Sequence, residues 1–255
     1  MFSVFLSCEP RDEDRLTAEL YEAGTCGIGE EPGGLRAFFE DDGSREALLA
    51  RFAAFRPRVR EEAAADWEQA ARDSFPALCI GRRWFLVPPW SADVTPSNRI
   101  RLVVNPGMAC GTGWHPCTQL CLEALEDAVR PGDTVLDVGS GSGILSEAGA
   151  LVGARRVIAC DIDIDALFVA RERVRAPMFA GSADAVRGGV ADVVVANISS
   201  AAVDDLAPEF WRVLRPRGTL IVSGFEERDL PEGFRGEMRT RDGWACLLAD
   251  VQRAA

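Results

Sequence analysis

The stretch TVLDVGSGSG, residues 134–143, is the most informative part of this sequence. A β-branched apolar run is followed by Gly139, Gly141 and Gly143, which let the backbone turn tightly and approach a ligand closely. A dinucleotide-binding fingerprint would have its third glycine at position 144, where this chain has isoleucine. The stretch therefore predicts a strand that ends in a ligand-binding turn. A glycine-rich turn that serves only packing is the alternative.

The same strand-then-helix pattern continues after this stretch. TVLDVGSG, RRVIACDID, ADVVVAN and GTLIVSG are four apolar strands separated by helical stretches. This alternation predicts an α/β fold with a doubly wound, mostly parallel sheet and helices on both faces. Short strands near 234–240 and 244–250 are expected to complete an antiparallel edge.

The N-terminal part has a different organisation. Its elements are expected at 2–8 (strand), 10–24 (helix), 25–41 (hairpin with a turn at 32–34), 44–55 (helix) and 56–62 (strand). This order predicts a small ferredoxin-like α+β domain at 1–62. A linker helix at 63–76 and the parallel-sheet domain at 77–255 are expected to follow.

The composition is that of a folded, acidic protein. Of 255 residues, 47% are hydrophobic, and 28 basic residues, all of them Arg, compare with 40 acidic ones for a net charge of −12. This content of apolar residues suffices for a core, so disorder is not expected. The acidic balance argues against direct nucleic-acid binding, which requires clustered positive charge. A basic partner fits better.

Three features of the chain concern its compartment. No apolar run approaches the ~18 residues of a membrane-spanning helix. The N-terminus MFSVFLSCEPRDEDR has no basic leader, and the eight cysteines include no CxxC pair. Reduced thiols are typical of the cytoplasm. We therefore expect a cytoplasmic protein that does not associate with membranes.

Two aspartates follow the second strand of the predicted parallel sheet. Asp161 ends the strand, 22 residues after Gly139, where a carboxylate can accept hydrogen bonds from both hydroxyls of a ribose. Asp163 precedes the helix DALFVARERV and is expected to be its N-cap. Asp161 is therefore the candidate ligand-binding residue, and Asp163 the structural one.

Asn197 ends the strand ADVVVAN at the carboxyl edge of the predicted sheet. Open α/β folds bind ligands at this edge. The side-chain carbonyl of Asn197 is suited to accept a hydrogen bond from an amine and to orient the nitrogen lone pair. The alternative is an asparagine that caps the helix beginning near Ser200.

The loop NPGMACGTGWHPCT, residues 105–118, contains the single histidine of the chain, His115. A helix is expected from about Pro116, with its cysteines facing the core. No metal is expected, because the spacing of the candidate ligands matches no usual zinc site. These candidates are Cys110, His115, Cys117 and Cys121.

Together the motifs resemble the ribosomal protein L11 methyltransferase family of class I S-adenosylmethionine-dependent enzymes. The resemblance rests on NPGMACGTGWHPCT, LDVGSGSG, ACDID and VVANISS, and on DWEQAARDSFPALCIGRRWFLVPPW before the loop. It implies methyl transfer from S-adenosyl-L-methionine to lysine or α-amino groups of ribosomal protein L11. It also implies that the ferredoxin-like domain recognises this substrate, and we expect a monomer.

The resemblance also implies roles for individual residues. Asn197 would face the acceptor nitrogen, and His115 would relay a proton or, alternatively, only order the loop. The residues expected to bind the cofactor are Thr118, Asp137, Gly139, Gly141, Asp161, Ile162, Ser182 and Asn197.

The chain departs from the family pattern at three positions. Cys110 replaces an aromatic residue of the loop, Cys117 replaces the first of two threonines, and Ala71 stands where the family commonly has Trp. The first two departures favour an alternative in which the cofactor is kept but the acceptor is another protein lysine or a small molecule. A non-catalytic cofactor-binding assembly module is a third possibility.

Overall fold

The computed structural model describes residues 1–9, 13–40, 45–61, 73, 75–106 and 113–250. The chain forms two compact units, Met1–Ser74 and Phe75–Ala255. The division lies within the expected linker helix, 63–76, most of which falls outside the described residues. The separate roles expected of the two units stay predictions.

The first unit is a four-stranded antiparallel sheet with two helices. Its strands lie in the order β2-β3-β1-β4, in which β1 is antiparallel to both β3 and β4, and β3 is antiparallel to β2. This is the ferredoxin-like arrangement that the order of elements predicts. The elements are β1 (Phe2–Ser7), α1 (Glu13–Glu22), β2 (Gly27–Glu31), β3 (Gly34–Phe39), α2 (Arg45–Arg51) and β4 (Arg58–Glu61).

The apolar residues of the first unit meet in one core. Leu16 and Leu20 lie four residues apart on α1 and are fully buried, as expected for one face of an amphipathic helix. Phe2 and Phe39 are cross-strand partners in β1 and β3, and their rings stack at 5.7 Å. The second helix ends at Arg51, earlier than predicted, and a short 3-10 helix follows.

The second unit is built on a seven-stranded sheet. The strands of this sheet are β8 (Thr134–Val138), β9 (Arg156–Asp161), β10 (Met178–Ala180), β11 (Ala191–Asn197), β12 (Leu214–Glu226), β13 (Glu237–Arg241) and β14 (Trp244–Asp250). The helices are α3 (Pro116–Ala128), α4 (Ile144–Leu151), α5 (Ile164–Arg173) and α6 (Ser200–Val213). The observed order is β10-β9-β8-β11-β12-β14-β13, and β14 is antiparallel to both of its neighbours.

Alternate residues of the central strands belong to opposite faces of this sheet. In β11, Val193 and Val195 pack in the same cluster as residues of α3 and α4, whereas Val194 and Ala196 pack with residues of α6. Both faces are therefore apolar, which explains why the strand reads as a continuous hydrophobic run. The predicted α/β architecture is confirmed.

Three short strands were not anticipated as one sheet. The sequence predicts a strand within 81–90, and the structure shows β6 (Trp84–Val87) between two partners, β5 (Leu78–Ile80) and β7 (Ile100–Val103). The strand β6 is antiparallel to β5 and parallel to β7. Runs of three or four residues carry too little periodicity to reveal such pairings.

The strand order fixes where a ligand is expected. From β8 the chain moves outward to β9 and β10, and then returns to the other side of β8 to form β11. In such sheets, ligands bind beyond the carboxyl ends of the strands where the direction reverses. This point lies between the turn after β8 and Asn197 at the end of β11. Within the described ranges, no helix is both long and apolar enough to cross a membrane.

Candidate active site

The glycine-rich turn after β8 takes a backbone conformation that favours glycine. Gly139, Gly141 and Gly143 have φ angles of 72°, 49° and 78°, in the left-handed region. The backbone N–H groups of Gly139 and Ser140 both donate to the carbonyl oxygen of Cys160, at 2.9 and 3.1 Å. The turn is therefore fastened to the neighbouring strand β9.

Packing accounts for part of this glycine pattern. A Cβ atom on Gly139 would lie 2.5 Å from Cγ2 of Ile198, and one on Gly143 would lie 3.0 Å from Cβ of Ala170. The N–H of Gly141 instead donates to Oδ2 of Asp161 at 2.8 Å. The turn thus joins the end of β8 to an acidic side chain at the end of β9.

The two aspartates after β9 take the places that the sequence predicts for them. Asp161 is 9% exposed, and its second carboxylate oxygen accepts from the N–H of Asp163 at 3.0 Å. Asp163 is the N-cap of α5, since its side chain accepts from the N–H of Asp165 at 2.9 Å. Ribose binding by Asp161 stays a prediction.

Asp137, the acidic residue of the motif, is fully buried. The hydroxyl of Ser146 donates to its Oδ2 at 2.6 Å. Among the described residues, neither Oδ1 of Asp137 nor the buried hydroxyl of Ser140 has a hydrogen-bond partner. Burial raises the pKa of the Asp137 carboxyl to about 6. Two unsatisfied polar atoms therefore lie in the residues of the turn.

Ile162 is next to Asp161 in the chain, whereas Ser182 is brought near it by the pairing of β10 with β9. Ile162 follows it in the chain, and its side chain is 84% exposed. Ser182 follows Gly181, whose N–H donates to the carbonyl oxygen of Asp161 at 2.9 Å. An apolar side chain and a short polar one thus flank the aspartate.

The structure brings Asn197 to Thr118, which is 79 residues away in the chain. The side-chain amide Nδ2 of Asn197 donates to Oγ1 of Thr118 at 3.2 Å. Thr118 is buried in the first turn of α3. The alternative role for Asn197 is wrong, because Ser199 is the N-cap of α6 and accepts from the N–H of Ala202.

His115 orders the start of α3. Its Nδ1 accepts from the N–H of Cys117 at 3.3 Å, so the imidazole is the N-cap of the helix, and Pro116 fills the first helical position. The ring also meets Trp244 edge to face, with 4.5 Å between the ring centroids. Burial lowers the pKa of His115, which favours the neutral ring.

The remaining loop residues divide into described and undescribed ones. Cys117 and Cys121 are buried in the core, as predicted. Cys110 and Ala71, two of the departures from the family pattern, fall outside the described residues. In the part of the chain that the structure describes, no group of three or more His, Cys, Asp or Glu residues could hold a metal ion.

Trp244 is a residue of this region that the sequence motifs did not predict. Trp244 begins β14 and lies opposite Glu226, the last residue of β12. Its contact with His115 joins residues 129 positions apart, and no local motif marks it. The aromatic residue that follows the Asp-Gly turn at 242–243 was the only available signal.

Comparison with known proteins identifies the relatives of this chain. The family model for ribosomal protein L11 methyltransferase (PrmA) matches residues 34–250. The ribosomal protein L11 methyltransferase of Pseudomonas paraeruginosa (strain PA7) is 38% identical over 232 residues, which are 82% of this chain and 78% of that protein. The enzyme of the same name from Azotobacter vinelandii is 37% identical over 238 residues, 84% of this chain and 80% of its own.

A solved structure agrees with these matches. The crystal structure of ribosomal protein L11 methylase from Lactobacillus delbrueckii subsp. bulgaricus superposes with a TM-score of 0.61 and 29% sequence identity. The match covers 68% of this chain and 96% of that one. With the glycine-rich turn, Asp161 and Asn197 placed around one edge of the sheet, the chain belongs to the ribosomal protein L11 methyltransferase family.

Proposed function

We propose that this chain transfers methyl groups from S-adenosylmethionine to lysine or α-amino groups of ribosomal protein L11. The observation that carries the proposal is the hydrogen bond between Asn197 and Thr118 at the switch point of the sheet, across from the glycine-rich turn. It fixes an amide side chain at the edge where the cofactor turn also ends. The relatives named above are enzymes of this activity by name.

The residues of the turn fit S-adenosylmethionine. Glycines at 139, 141 and 143 leave a cradle without side chains, in conformations that side chains would strain. Oδ1 of Asp137 and the hydroxyl of Ser140 are buried without partners among the described residues, and a bound ligand with donor groups would satisfy them. When bound, the cofactor would supply an electrophilic methyl group on its sulfonium sulfur: a deprotonated amine nitrogen would bond to this methyl carbon in line while the neutral thioether leaves, and the methylated nitrogen would release a proton to solvent.

Asp161 is the residue that would hold the ribose. Each of its carboxylate oxygens accepts one backbone hydrogen bond, which fixes the carboxylate and leaves each oxygen able to accept a second. Ile162 offers an exposed apolar side chain for the adenine, and Ser182 a hydroxyl beside it. These assignments follow from proximity to Asp161.

Asn197 would orient the acceptor. Its amide nitrogen is bonded to Thr118, so the side-chain carbonyl oxygen is the atom that would accept a hydrogen bond from the incoming amine. This bond would direct the nitrogen lone pair toward the methyl group, and holding reactants in line lowers the barrier by about 7–11 kcal/mol in favourable cases.

His115 acts in this proposal mainly by position. Nδ1 accepts a backbone hydrogen bond, so the proton of the neutral ring is on Nε2. That nitrogen can donate but cannot take a proton from the acceptor while the cap is formed. We therefore favour the ordering role over the proton relay.

The proposed substrate and the net charge of the chain bear on its binding partner and its cellular compartment. A net charge of −12 favours a basic ribosomal protein over direct contact with nucleic acid. An enzyme that methylates a ribosomal protein would act in the cytoplasm. We expect it to work as a monomer, with the first unit recognising the substrate.

The test is methyl transfer to unmethylated ribosomal protein L11, followed by intact-mass spectrometry. We expect mass gains in steps of one methyl group. Because this chain contains no Lys, any methyl-lysine found after digestion comes from the substrate. The matched control is L11 with its amino groups acetylated, which should gain no methyl groups.

Two other outcomes would contradict the proposal. Binding of S-adenosylmethionine without any mass gain on L11 would show a different acceptor or a non-catalytic role. Equal gains on native and acetylated L11 would show that the acceptor is not an amine.

A further inference from the structure

A cavity of about 520 Å³ opens at the carboxyl end of β12, outside the residues discussed so far as cofactor ligands. Its lining includes two aromatic residues, two carboxylates and a guanidinium. Its lining residues are Gly224, Phe225, Glu226, Arg228, Asp229 and Trp244.

A β-bulge at Gly224 places one side of this cavity against the residue that follows Asn197. The pairing of β12 with β14 shifts register between Ser223 and Phe225. Gly224 has a φ angle of 105°, and a Cβ atom there would collide with the carbonyl oxygen of Ile198. Bulges often redirect side chains beside active sites. The end of β12 is therefore held close to the end of β11.

The opposite side of the cavity is joined to the His115 region. Trp244 lies across the ladder from Glu226 and contacts His115 at 4.5 Å between ring centroids. The hydroxyl of Ser200, three residues after Asn197, donates to Oδ2 of Asp229 at 2.7 Å. The cavity thus borders the Asn197 segment on one side and the capped start of α3 on the other.

The chemistry of the lining suits a cationic chain with an apolar stem. Glu226 pairs with the Nε of Arg228 at 2.6 Å, but the Arg228 side chain is 83% exposed. Such surface pairs contribute little, so a second cation can take the place of the guanidinium. The indole of Trp244 offers an apolar surface and a π face to an ammonium group. The neutral His115 adds no opposing charge.

We propose that this cavity receives the lysine side chain or N-terminal amine of the acceptor protein, with Glu226 and Trp244 as the residues that contact it. This inference rests on the proposed function and adds the site at which the acceptor is recognised. Glu226 favours the ammonium form, so its contribution belongs to binding of the acceptor rather than to the methyl-transfer step. The effect should therefore appear in KM for the protein substrate and not in kcat.

The first test is Glu226→Gln, compared with Glu237→Gln as a matched control. Glu237 also pairs with an Nε of an arginine two residues later, Arg239, at 2.6 Å, but it lies on β13, away from the cavity. We expect Glu226→Gln to raise KM for ribosomal protein L11 about fivefold. KM for S-adenosylmethionine and kcat should change by less than about twofold, and Glu237→Gln should leave all three constants unchanged.

The second test separates the aromatic face of Trp244 from its bulk. Trp244→Leu should raise KM for L11 about fivefold, because it removes the π face. Trp244→Phe should restore most of the affinity. Circular dichroism and the affinity for S-adenosylmethionine would show that both variants remain folded.

Three results would overturn the inference. An unchanged KM for L11 in Glu226→Gln would show that this carboxylate does not bind the acceptor. An equal rise of KM in Glu237→Gln would show that the effect comes from the overall charge of the protein. An equal KM for L11 in Trp244→Leu and Trp244→Phe would show that the π face of the ring does not contribute to binding of the acceptor.

A separate measurement keeps the cavity testable if the wild type does not methylate L11. Binding of a lysine peptide is then compared by NMR with that of the same peptide carrying norleucine, using wild type and Glu226→Gln with the cofactor bound. Lysine-selective binding that Glu226→Gln weakens would support the cavity, although the proposed substrate had failed. Equal binding of the two peptides would exclude the cavity.

Discussion

The two sides of the candidate site are held by different kinds of interaction. At the end of β8, the backbone forms most of the contacts. The glycines have positive φ angles, and backbone N–H groups donate hydrogen bonds to Cys160 and Asp161. At the ends of β11 and β12, side chains from distant segments meet. These contacts are Asn197 with Thr118, His115 with Trp244, and Ser200 with Asp229.

This difference indicates how each side should respond to substitution. A backbone turn tolerates few side chains, so changes there should affect folding and cofactor binding together. The side-chain contacts take no part in the backbone ladders of the sheet, so changes there should affect catalysis or acceptor binding while the fold persists.

The largest effect is expected at Gly139, on the backbone-held side of the site. Gly139→Ala places a Cβ atom 2.5 Å from Ile198 Cγ2 in a residue with φ of 72°. We expect a loss of about 2–3 kcal/mol in the free energy of unfolding, above the 1–2 kcal/mol of backbone strain alone. Loss of measurable S-adenosylmethionine binding should accompany it. Urea unfolding and titration calorimetry would measure both effects.

Gly189→Ala is the matched control for this change. Gly189 has a φ angle of 66°, and no heavy atom of the described residues lies within 4 Å of its would-be Cβ. This variant should show only the strain of about 1–2 kcal/mol. If Gly139→Ala bound the cofactor as well as Gly189→Ala does, the turn would not form the cofactor site.

The side-chain network should respond differently at Asn197. Asn197→Ala should lower kcat at least about tenfold, because the acceptor loses its orienting carbonyl. Its melting temperature and cofactor affinity should remain close to those of the wild type. Thr118→Val, which removes only the hydroxyl that anchors the amide, should give a smaller fall. An unchanged turnover in Asn197→Ala would exclude the residue from the mechanism.

Asp161 accepts backbone hydrogen bonds through its side chain, and its neighbour Asp163 provides a matched control. Asp161→Asn should weaken S-adenosylmethionine binding about tenfold, since hydrogen bonds to a charged acceptor are the stronger ones. Asp163→Asn should bind normally, because asparagine also caps helices well. Equal affinities in calorimetric titrations of the two variants would contradict the ribose assignment.

The smallest effect is expected from protonation of His115. Its pKa is lowered by burial, so the unfolded chain binds the proton more tightly, and stability is lost as pH falls below 6.5. His115→Asn keeps a capping residue but removes this titration. Asp137, whose pKa is raised by burial, titrates in both proteins and cancels in their comparison.

The measurement is the melting temperature of both proteins from pH 7.5 to 5.5. We expect the wild type to lose stability relative to His115→Asn as the pH falls. A constant difference would show that the imidazole is equally hydrated in the folded and unfolded states.

The sequence predicts the backbone-held side of the site better than the side-chain-held one. The glycine pattern and the capping role of Asp163 depend on neighbours in the chain, so a local motif carries them. By contrast, the sequence allows two roles for Asn197, and only the position of Ser199 as the helix cap excludes the capping role. Trp244 carried only the weak local signal of the Asp-Gly turn before it, because its partner His115 lies far away in the chain.

The fold shows the same division. Long alternating segments predicted the ferredoxin-like order of the first unit and all strands of the seven-stranded sheet except β10, which has only three residues. The pairing of β5, β6 and β7 into a three-stranded sheet was not predicted, because these strands are short and pair across intervening turns. The helix α2 ends earlier than the sequence predicts, since the chain forms a 3-10 helix at Ala53–Phe55.

The place of β14 in the sheet has a consequence for how the site assembles. In the described sheet, β13 pairs only with β14, and β14 separates it from β12, although β13 comes first in the chain. The segment Glu237–Arg241 therefore joins the sheet only through residues 244–250, which pair with β12 on their other side. The same pairing of β14 with β12 holds Trp244 beside His115. Amide hydrogens of both strands should then exchange with solvent as one cooperative unit, slower than those of the first unit's edge strand β4.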